Sequence, residues 1–400
     1  MRILFYTYGK VCSTSGGTER TTVSLATALT RIYGCECFSL YEVASKTEKE
    51  GCFVAEYHWN AARDKEGSLS ALRGIIRKHR IELIIDQGSF IHVRLFKKAT
   101  EGTGCKVVLA HHFEPGAEVL FYNFKKQLRN LLAAGSLRAK CVGLKNILLF
   151  PLFRRKSVKS LRLLYHEAYN EADCVVLLHQ SFIPLYQSFG QFHDEKKFRV
   201  IPNALSYDEF ANEGDIKLKK RQALIVARLD ETHKRLSLAL QIWKEAKKSH
   251  TARMWALHII GDGPSRTMYQ RMVKKEDIPD VLFMGRQDPS NSYMESSIFL
   301  MTSRSESWGL TLTEAQQFGV VPIAFNTYES LSEIITDNVD GFVVPEGHVE
   351  EYVHRLLQLM QDARQREQMA VNALRDCKRF TKSRIAQSWW NLLKTLKSQQ

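Results

Sequence analysis

The chain has 400 residues, of which 44% are hydrophobic and 25% charged, and its formal net charge is +14. A chain of this length is expected to form about two or three domains with a large buried core, and the composition excludes a disordered protein. The N-terminal sequence MRILFYTY lacks the apolar run of a signal peptide, and no apolar stretch reaches the length of a membrane-spanning helix.

The first half of the chain alternates segments with the patterns of strands and helices. Strands are predicted at 2–7, 36–41, 52–57, 82–86, 105–110 and 173–178, and helices at 19–32, 68–79 and 160–172. This alternation indicates a parallel sheet covered by helices on both faces. Ligands of such sheets bind at the carboxyl ends of the strands, so residues at those positions are candidate site residues.

Two of these strands are followed by candidate residues. Gly16 and Gly17 follow the first strand and precede a helix, where the backbone can approach a phosphate closely. They do not form a dinucleotide fingerprint, because the spacing G-x-G-x-x-G is absent. His111 and His112 follow the strand at 105–110. Counting from the apolar run Val107 to Ala110 favours His112 as the site residue, and His111 is the alternative. A histidine that only caps the strand is a further alternative.

A basic segment accounts for most of the net charge. Residues 119–166 contain eleven Lys or Arg and no acidic residue, and the cations alternate with Leu, Ile, Phe and Tyr. This pattern favours an interfacial segment that docks on an anionic membrane surface. A core helix with a basic exterior and a nucleic-acid-binding surface remain the alternatives, although no recognised nucleic-acid module accompanies the segment.

The eight cysteines are scattered through the chain, mostly in apolar strand contexts. This distribution favours reduced thiols in a cytoplasmic protein, packed as small apolar side chains. Cys35 and Cys37 flank Glu36 without the further ligands that a zinc site requires.

The second half alternates strands and helices again, after a boundary at Pro202 and Asn203. Strands are predicted at 222–227, 255–260, 281–284, 298–302, 320–324 and 341–344, with helices beginning near 234, 265, 290, 310, 328 and 348. The pattern predicts a second doubly wound unit. A last helix, Ser383 to Ser398, contains Trp389 and Trp390, which are predicted to pack in a core.

The most informative segment is 298–345, which contains two glutamates in a strand–loop–helix context. Glu306 follows the strand, Gly309 breaks the chain, and the amphipathic stretch from Thr311 to Phe318 carries Glu314. The N–H groups at the start of a helix near Gly309 suit a diphosphate. If Thr311 to Glu314 is helical, Glu314 lies in the first turn and can accept two vicinal sugar hydroxyls.

These motifs resemble those of the retaining family 4 glycosyltransferases. ESWGLTLTEAQQFG at 306–319 followed by VVPIAF resembles their Glu-x7-Glu signature. Further matches in the same order are GGTER at 16–20, the histidine after 106–110, PNAL at 202–205, ARLDETHKR at 227–235, HIIGDGP at 258–264, VLFMGRQD at 281–288 and DGFVVP at 340–345.

The resemblance implies the GT-B fold, two facing Rossmann-like doubly wound domains with one cleft between them. The domains are then 1–203, which binds the acceptor, 204–382, which binds the nucleotide sugar, and a helix at 383–400 that crosses back to the first domain. Asp86 and Gln87, which end the strand at 82–86, are candidates for facing the acceptor.

Roles for individual residues follow from the resemblance. The catalytic set is Glu306, Lys234, Arg228 and His112, and the donor-binding set adds Gly16, Gly17, Arg286, Gln287, Trp308, Gly309, Leu310, Thr311 and Glu314. In the family the lysine follows the arginine by about five positions, and here the fifth is His233. We therefore assign Lys234, with Arg235 as the alternative. Guanidinium and ammonium groups stabilise the charge that develops on a departing diphosphate.

The predicted function is transfer of a hexose or N-acetylhexosamine from a nucleotide sugar, with UDP favoured, to a saccharide or lipid-linked acceptor in cell-surface glycan synthesis. No metal ion or other cofactor is expected, because no Asp-x-Asp motif lies in the cleft-forming segments. The expected location is the cytoplasmic face of the inner membrane, and no nucleic acid is expected as a partner. A GT-B nucleotide-sugar epimerase and a non-catalytic basic binding protein remain the alternatives.

Overall fold

The chain folds into two compact units. The computed structural model describes residues 1–12, 16–45, 50–60, 65–88, 90–121, 124, 128, 131–132 and 135–398. The first unit contains Met1–Ile201 together with Ser388–Gln400, and the second contains Pro202–Gln387. The sequence places the corresponding limits at 203 and 382.

The first unit is built on a seven-stranded sheet. Its strands are β1 Arg2–Gly9, β2 Glu36–Val43, β3 Phe53–His58, β4 Leu83–Asp86, β5 Lys106–His111, β6 Cys174–Leu177 and β7 Phe198–Val200. They lie in the order β3-β2-β1-β4-β5-β6-β7, and every pairing is parallel. The predicted parallel sheet is confirmed. The three-residue β7 was not predicted, because three residues are too few for a recognisable alternation.

The helices of this unit are longer and more numerous than predicted. They are α1 Gly17–Tyr33, α2 Lys65–His79, α3 Val93–Thr100, α4 Leu137–Leu148, α5 Phe150–Glu171 and α6 Phe182–Gly190. The helix predicted to begin at 160 begins at Phe150, because Pro151 occupies the first turn, where proline costs no hydrogen bond. The short α3 and the proline-containing α6 were not predicted from the sequence.

The second unit is built on a six-stranded sheet. Its strands are β8 Gln222–Val226, β9 Ala256–Ile260, β10 Val281–Gly285, β11 Ile298–Met301, β12 Val321–Asn326 and β13 Phe342–Pro345. They lie in the order β10-β9-β8-β11-β12-β13, again with parallel pairing throughout. The order reverses direction between β8 and β11, so the chain segments after these two strands leave the sheet side by side.

Helices follow nearly every strand of the second sheet. They are α7 Glu231–Lys234, α8 Leu236–Ala246, α9 Arg266–Lys275, α10 Ser290–Glu295, α11 Leu310–Gln317, α12 Leu331–Ile334, α13 Val349–Gln361, α14 Ala363–Asp376 and α15 Lys382–Ser398. The helix predicted near 234 is two helices, because Arg235 adopts a left-handed φ of 49° and interrupts it. The helix predicted near 328 begins at Leu331.

The core of the second unit lies between its sheet and the surrounding helices. Leu240, Trp243, Tyr352 and Leu356 are fully buried against the strands. Burying one such side chain contributes ~1.5–3 kcal/mol. Trp389 and Trp390 lie in the part of α15 that belongs to the first unit. Trp389 is buried, as predicted, and the ring of the half-buried Trp390 stacks on Tyr33 with 4.7 Å between centroids.

All eight cysteines are free thiols, and six of them are buried. Burial raises the pKa of the Cys37 thiol to about 12, so this side chain behaves as a small apolar group. Cys141 is exposed, and that part of the prediction is wrong. Within the described ranges no group of His, Cys, Asp or Glu is arranged to hold a metal ion.

The basic segment 119–166 belongs to the first unit. Its residues 122–123, 125–127, 129–130 and 133–134 lie outside the described residues. The remainder includes α4 and most of α5, whose first fifteen residues contain no buried side chain. In the described part of the chain, no helix is long and apolar enough to cross a membrane.

Candidate functional site

The segment after β8 is held against the loop after β9 by close backbone contacts. Leu229 N donates to Asp262 O, and Asp230 caps the one-turn helix α7 by accepting from Thr232 N. A Cβ on Gly261 would lie 1.9 Å from Ala227 O, and one on Gly263 would lie 2.5 Å from Leu229 O. Only glycine permits this approach. The contact fixes the position of the exposed Arg228 at the carboxyl end of the sheet.

The structure brings Lys234 and Glu306 together. Lys234 Nζ donates to Glu306 Oε1, and the two side chains are 24% and 15% exposed. Arg304 N donates to His233 O at 2.7 Å, and Thr302 Oγ1 donates to Lys234 O at 3.1 Å. The loop after β11 is therefore tied to α7 by backbone contacts as well as by the ion pair.

Arg235, the alternative to Lys234, has a different environment. Its Nε donates to Thr302 O at 2.9 Å, its second terminal nitrogen donates to Ser303 O at 3.2 Å, and its first pairs with Glu346 at 2.9 Å. These contacts occupy the guanidinium group in holding the loop after β11. Of the two cations, Lys234 is the one that contacts Glu306.

Helix α11 begins in the way that the glycine signal predicts. Gly309 has a φ of 87°, and a Cβ there would lie 2.8 Å from the hydroxyl oxygen of Tyr328. Leu310 and Thr311 are the first two helical residues, and no side chain caps this end. Trp308 is buried edge-on against Phe380, with 5.2 Å between ring centroids. Trp308 therefore packs inside the second unit and supports the loop between β11 and α11.

Glu314 is more enclosed than the sequence predicts. Because α11 begins at Leu310, Glu314 lies in its second turn, and the prediction of the first turn is wrong. The carboxylate is fully buried, with Ser206 Oγ donating to one oxygen at 2.6 Å and Tyr293 OH to the other at 2.9 Å. Two hydroxyl donors from distant parts of the chain therefore hold this carboxylate in place.

Arg286 and Gln287 follow directly after β10 and are both exposed. Their strand is at the edge of the sheet, two strands away from β8. They lie at the carboxyl edge of the same sheet as the other candidates.

In the first unit, the glycine pair lies at the start of α1. Gly16 is the N-cap with extended φ and ψ of −70° and 179°, and Gly17 is the first helical residue. A Cβ on Gly16 would lie 2.7 Å from a carboxylate oxygen of Glu19. This negative charge in the first turn already interacts with the positive end of the helix dipole. It weakens the attraction of this helix end for an anion.

The two histidines have distinct surroundings at the carboxyl end of β5. His111 is the last residue of the strand and is buried, and its Nε2 lies 3.2 Å from Tyr165 OH. His112 is half-buried, and its Nε2 contacts Gln87 Oε1. Burial lowers the pKa of His111 to about 3 and that of His112 to about 4, so both imidazoles are neutral at pH 7. Asp86, which ends β4, is fully buried.

The C-terminal part of the chain matches a family model. Residues 206–376 match the family described as glycosyl transferases group 1. The match covers less than half of the chain. The matched range includes Arg228, Lys234, Glu306 and Glu314.

Curated proteins similar to part of this chain include bacterial glycosyltransferases. The chain is 29% identical over 178 residues to an amylovoran biosynthesis glycosyltransferase of Erwinia amylovora, covering 44% of this chain and 48% of that protein. It is 25% identical over 239 residues to an α-1,4-N-acetyl-D-galactosaminyltransferase of Campylobacter jejuni named for a diphospho-undecaprenol-linked acceptor, covering 59% of this chain and 64% of that protein. The chain spans about half the length of the first curated relatives that it matches.

A solved structure matches the whole chain. HepE of Anabaena, crystallised with UDP, has a TM-score of 0.73 at 15% identity and covers 99% of this chain and 100% of its own. This similarity together with the two parallel sheets confirms the GT-B fold. The assignment to family 4 and retention of configuration stay predictions.

Several residues around the candidate site were not identified from the sequence. Gly261 and Gly263 support Arg228, and their G-x-G spacing after a strand was the available signal. Ser206 and Tyr293 hold Glu314 from positions 108 and 21 residues away in the chain. No local pattern connects either residue with Glu314.

Proposed function

We propose that the chain is a retaining glycosyltransferase that moves a hexose or N-acetylhexosamine from a nucleotide diphosphate sugar to a saccharide or lipid-linked acceptor. UDP is the favoured nucleotide. The observation that carries the proposal is the contact between Lys234 and Glu306, next to an uncapped helix start at Gly309, inside the family-matched region.

The proposed reaction exchanges one bond for another at the anomeric carbon. The bond from C1 to the diphosphate oxygen breaks, and a bond from C1 to the acceptor oxygen forms on the same face of the sugar. The acceptor's proton goes to the leaving phosphate, so the products are a glycoside and a nucleoside diphosphate.

In this proposal each charged group has one task. Arg228 and Lys234 stabilise the negative charge that develops on the leaving diphosphate, together with the N–H groups at the start of α11. Glu306 contacts the donor sugar and positions Lys234, and Glu314 accepts hydroxyls of the ribose. Arg286 and Gln287 contact the base, and His112 lies near the donor sugar. The leaving group is stabilised by these protein cations, with no requirement for a metal ion or other cofactor.

We also propose that the protein acts at the anionic inner face of the cytoplasmic membrane in cell-surface glycan synthesis. The support is the exposure of apolar side chains in the basic segment: Leu148 is 72% exposed and Leu152 is 61% exposed, among cations with no acidic residue nearby in the sequence. An amphiphilic basic face of this kind suits lipid headgroups better than water. The name of the Campylobacter relative supports a lipid-linked acceptor.

The experiment that tests the proposal is a thermal-shift panel with UDP, GDP, ADP and dTDP. A nucleotide at a hundredfold over its Kd stabilises a protein by about 2.7 kcal/mol. We expect UDP to raise the unfolding temperature most, and nucleotide release from a UDP-sugar to require an added acceptor. Release of an epimerised sugar without acceptor would favour the epimerase. No shift with any of the four nucleotides would favour a non-catalytic binding protein.

A further inference from the structure

Helix α5 borders an open groove whose lining is strongly basic. The groove has a volume of about 900 Å³ and lies between the first part of α5 and the chain at Gly190 and Gln191. Four cations line it: Arg154, Arg155, Lys159 and Arg162. Among the lining residues that the structure describes, none is acidic. The groove therefore offers concentrated positive charge to a ligand.

The four cations of the groove have no acidic partner among the described residues. Within the ranges that the structure describes, none of their side chains forms an ion pair or a hydrogen bond with another residue. Arg162 is oriented by the ring of Phe189, whose centroid lies 6.0 Å from the guanidinium carbon. By contrast, the neighbouring Glu167 pairs outside the groove with Arg94 at 3.8 Å. Four uncompensated charges on one face are expected to attract an anion.

Apolar side chains interrupt the cations at regular helical spacing. Arg154, Val158 and Arg162 form one row at intervals of four residues, and Arg155, Lys159 and Leu163 form the adjacent row. Residues four apart lie above one another on a helix, so both rows face the groove. Leu163 is 61% exposed although it is apolar.

We propose that this groove binds the phosphate-bearing end of a lipid, with the phosphate on the four cations and the first part of the hydrocarbon along Val158 and Leu163. A free phosphate would leave the apolar side chains in water. A nucleic acid is less suited, because Phe150 is the one Phe, Tyr or Trp in the described lining on which a base can stack.

The same helix connects the groove to the predicted acceptor side of the first sheet. Tyr165 lies three residues after Arg162, and its hydroxyl donates to Glu118 at 2.8 Å and lies 3.2 Å from His111 Nε2. A lipid phosphate in the groove is thereby placed on the element that packs against the end of β5. That this lipid carries the acceptor sugar rests on the proposed glycosyl transfer, whereas lipid binding itself does not.

The test measures binding of dihexanoyl phosphatidic acid, below its micelle concentration, to the full chain by calorimetry. Inorganic pyrophosphate, dihexanoyl phosphatidylcholine and a single-stranded RNA oligomer are the comparison ligands. We expect the phosphatidic acid to bind most tightly. In Arg154→Ala/Arg162→Ala its Kd should rise about 30-fold, since each cation near an anionic lipid contributes roughly 1 kcal/mol.

Two matched variants make the outcome specific. Arg138→Ala/Lys140→Ala removes two charges from exposed positions of α4 outside the groove, and its Kd should change less than about twofold because salt screens distant charges. Leu163→Asn keeps every charge and should weaken binding of the lipid but not of pyrophosphate. All of these side chains are exposed or border the open groove, so the unfolding temperature should stay constant.

Other outcomes overturn the proposal. Equal losses in both double variants would mean diffuse charge attraction, and pyrophosphate binding as tightly as the lipid would mean a phosphate site alone. Tighter binding of RNA would assign the groove to nucleic acid. The UDP shift should persist in every variant, so its absence in the unmodified chain counts against the proposed glycosyl transfer and not against the groove.

Discussion

At the scale of single residues, the ion pair of Lys234 and Glu306 is only partly buried. Each side chain keeps contact with solvent, so neither bears the full cost of burial. The ammonium group can turn from the carboxylate to a bound diphosphate. Glu314 differs, because its fully buried carboxylate is already hydrogen-bonded to Ser206 and Tyr293.

Replacement of Glu306 is expected to affect catalysis more than nucleotide binding. Glu306→Gln should lower kcat by about 10²–10³, the loss typical of removing one preorganised polar group, while the Kd of UDP changes little. Steady-state transfer rates and UDP titrations measure the two effects. Glu346→Gln is the matched control, because Glu346 pairs with Arg235 at 2.9 Å and is 56% exposed. Undiminished turnover of the Glu306 variant would remove the role assigned to this residue.

Replacement of Glu314 is expected to cost both stability and donor affinity. Glu314→Ala removes the buried acceptor of the Ser206 and Tyr293 hydroxyls, and loss of a buried hydrogen-bond partner costs about 1–3 kcal/mol. Chemical denaturation with and without UDP measures both effects. Glu314→Gln restores one acceptor oxygen and should recover part of the stability. If UDP binds the Ala variant with its original Kd, Glu314 has only a structural role.

The buried His111 predicts a pH dependence of stability. Because burial lowers its pKa in the folded state to about 3, the unfolded state binds more protons between about pH 6.5 and pH 3. Stability is therefore fully present above about pH 6.5 and falls as the pH is lowered through this window, by about 2 kcal/mol at pH 5. His111→Phe should show a smaller loss between pH 7 and pH 5 in denaturant titrations. An identical loss in both proteins would contradict the assignment.

At the scale of elements, the strand order places the site segments next to each other. β8 pairs with β11, so the loops after them, which carry Lys234 and Glu306, begin side by side. β9 lies on the other side of β8, and its Gly-Asp-Gly loop supports Arg228 from there. Three segments that are distant in sequence thus converge at one edge of one sheet.

The Gly261 contact can be tested directly. Gly261→Ala introduces a Cβ that would lie 1.9 Å from Ala227 O, at a φ of 136° that alanine rarely adopts. We expect loss of donor binding together with a loss of stability, because the segment that carries Arg228 must move. Gly214→Ala in the same unit is the control, since a Cβ at that position would have no other atom within 4 Å and stability should be nearly unchanged. Equal thermal midpoints for both variants would show that the contact is dispensable.

At the scale of the whole molecule, the positive charge is concentrated in one part of the chain. The segment 119–166 contributes eleven of the fourteen net positive charges, and its described part lies in the first unit. Exposed apolar residues accompany these charges, whereas the second unit contains the family-matched residues 206–376. Charge and apolar surface both contribute to binding at a lipid interface. Salt screens the contribution of the charges but not that of the apolar surface.

Vesicle binding should therefore depend on both contributions. We expect co-sedimentation with phosphatidylglycerol-containing vesicles at ~50 mM salt and a marked loss at ~500 mM, where the Debye length is short. Leu148→Asn/Leu152→Asn should weaken binding at constant charge. Leu218→Asn, at a position that is 80% exposed in the second unit, should not. Equal binding to purely zwitterionic vesicles would contradict an electrostatic contribution.

The sequence by itself determined the elements and most of the candidate residues of this protein. Periodic apolar runs located both parallel sheets, because strand and helix periods depend on local backbone geometry. Gly309 also marked the start of α11 correctly, because the left-handed conformation before this helix favours glycine. The start of α5 was missed, since it depends on a single proline. The break in the helix predicted near 234 was also missed, since it depends on one left-handed residue, Arg235.

Only the tertiary structure decided which residues meet. The contact of Lys234 with Glu306 joins positions 72 apart, and it identifies Lys234 rather than Arg235 as the partner of that glutamate. The enclosure of Glu314 and the groove along α5 likewise depend on neighbours distant in the chain. Such contacts follow from the order of strands in the sheet and from packing between elements, and a local sequence pattern carries no information on either.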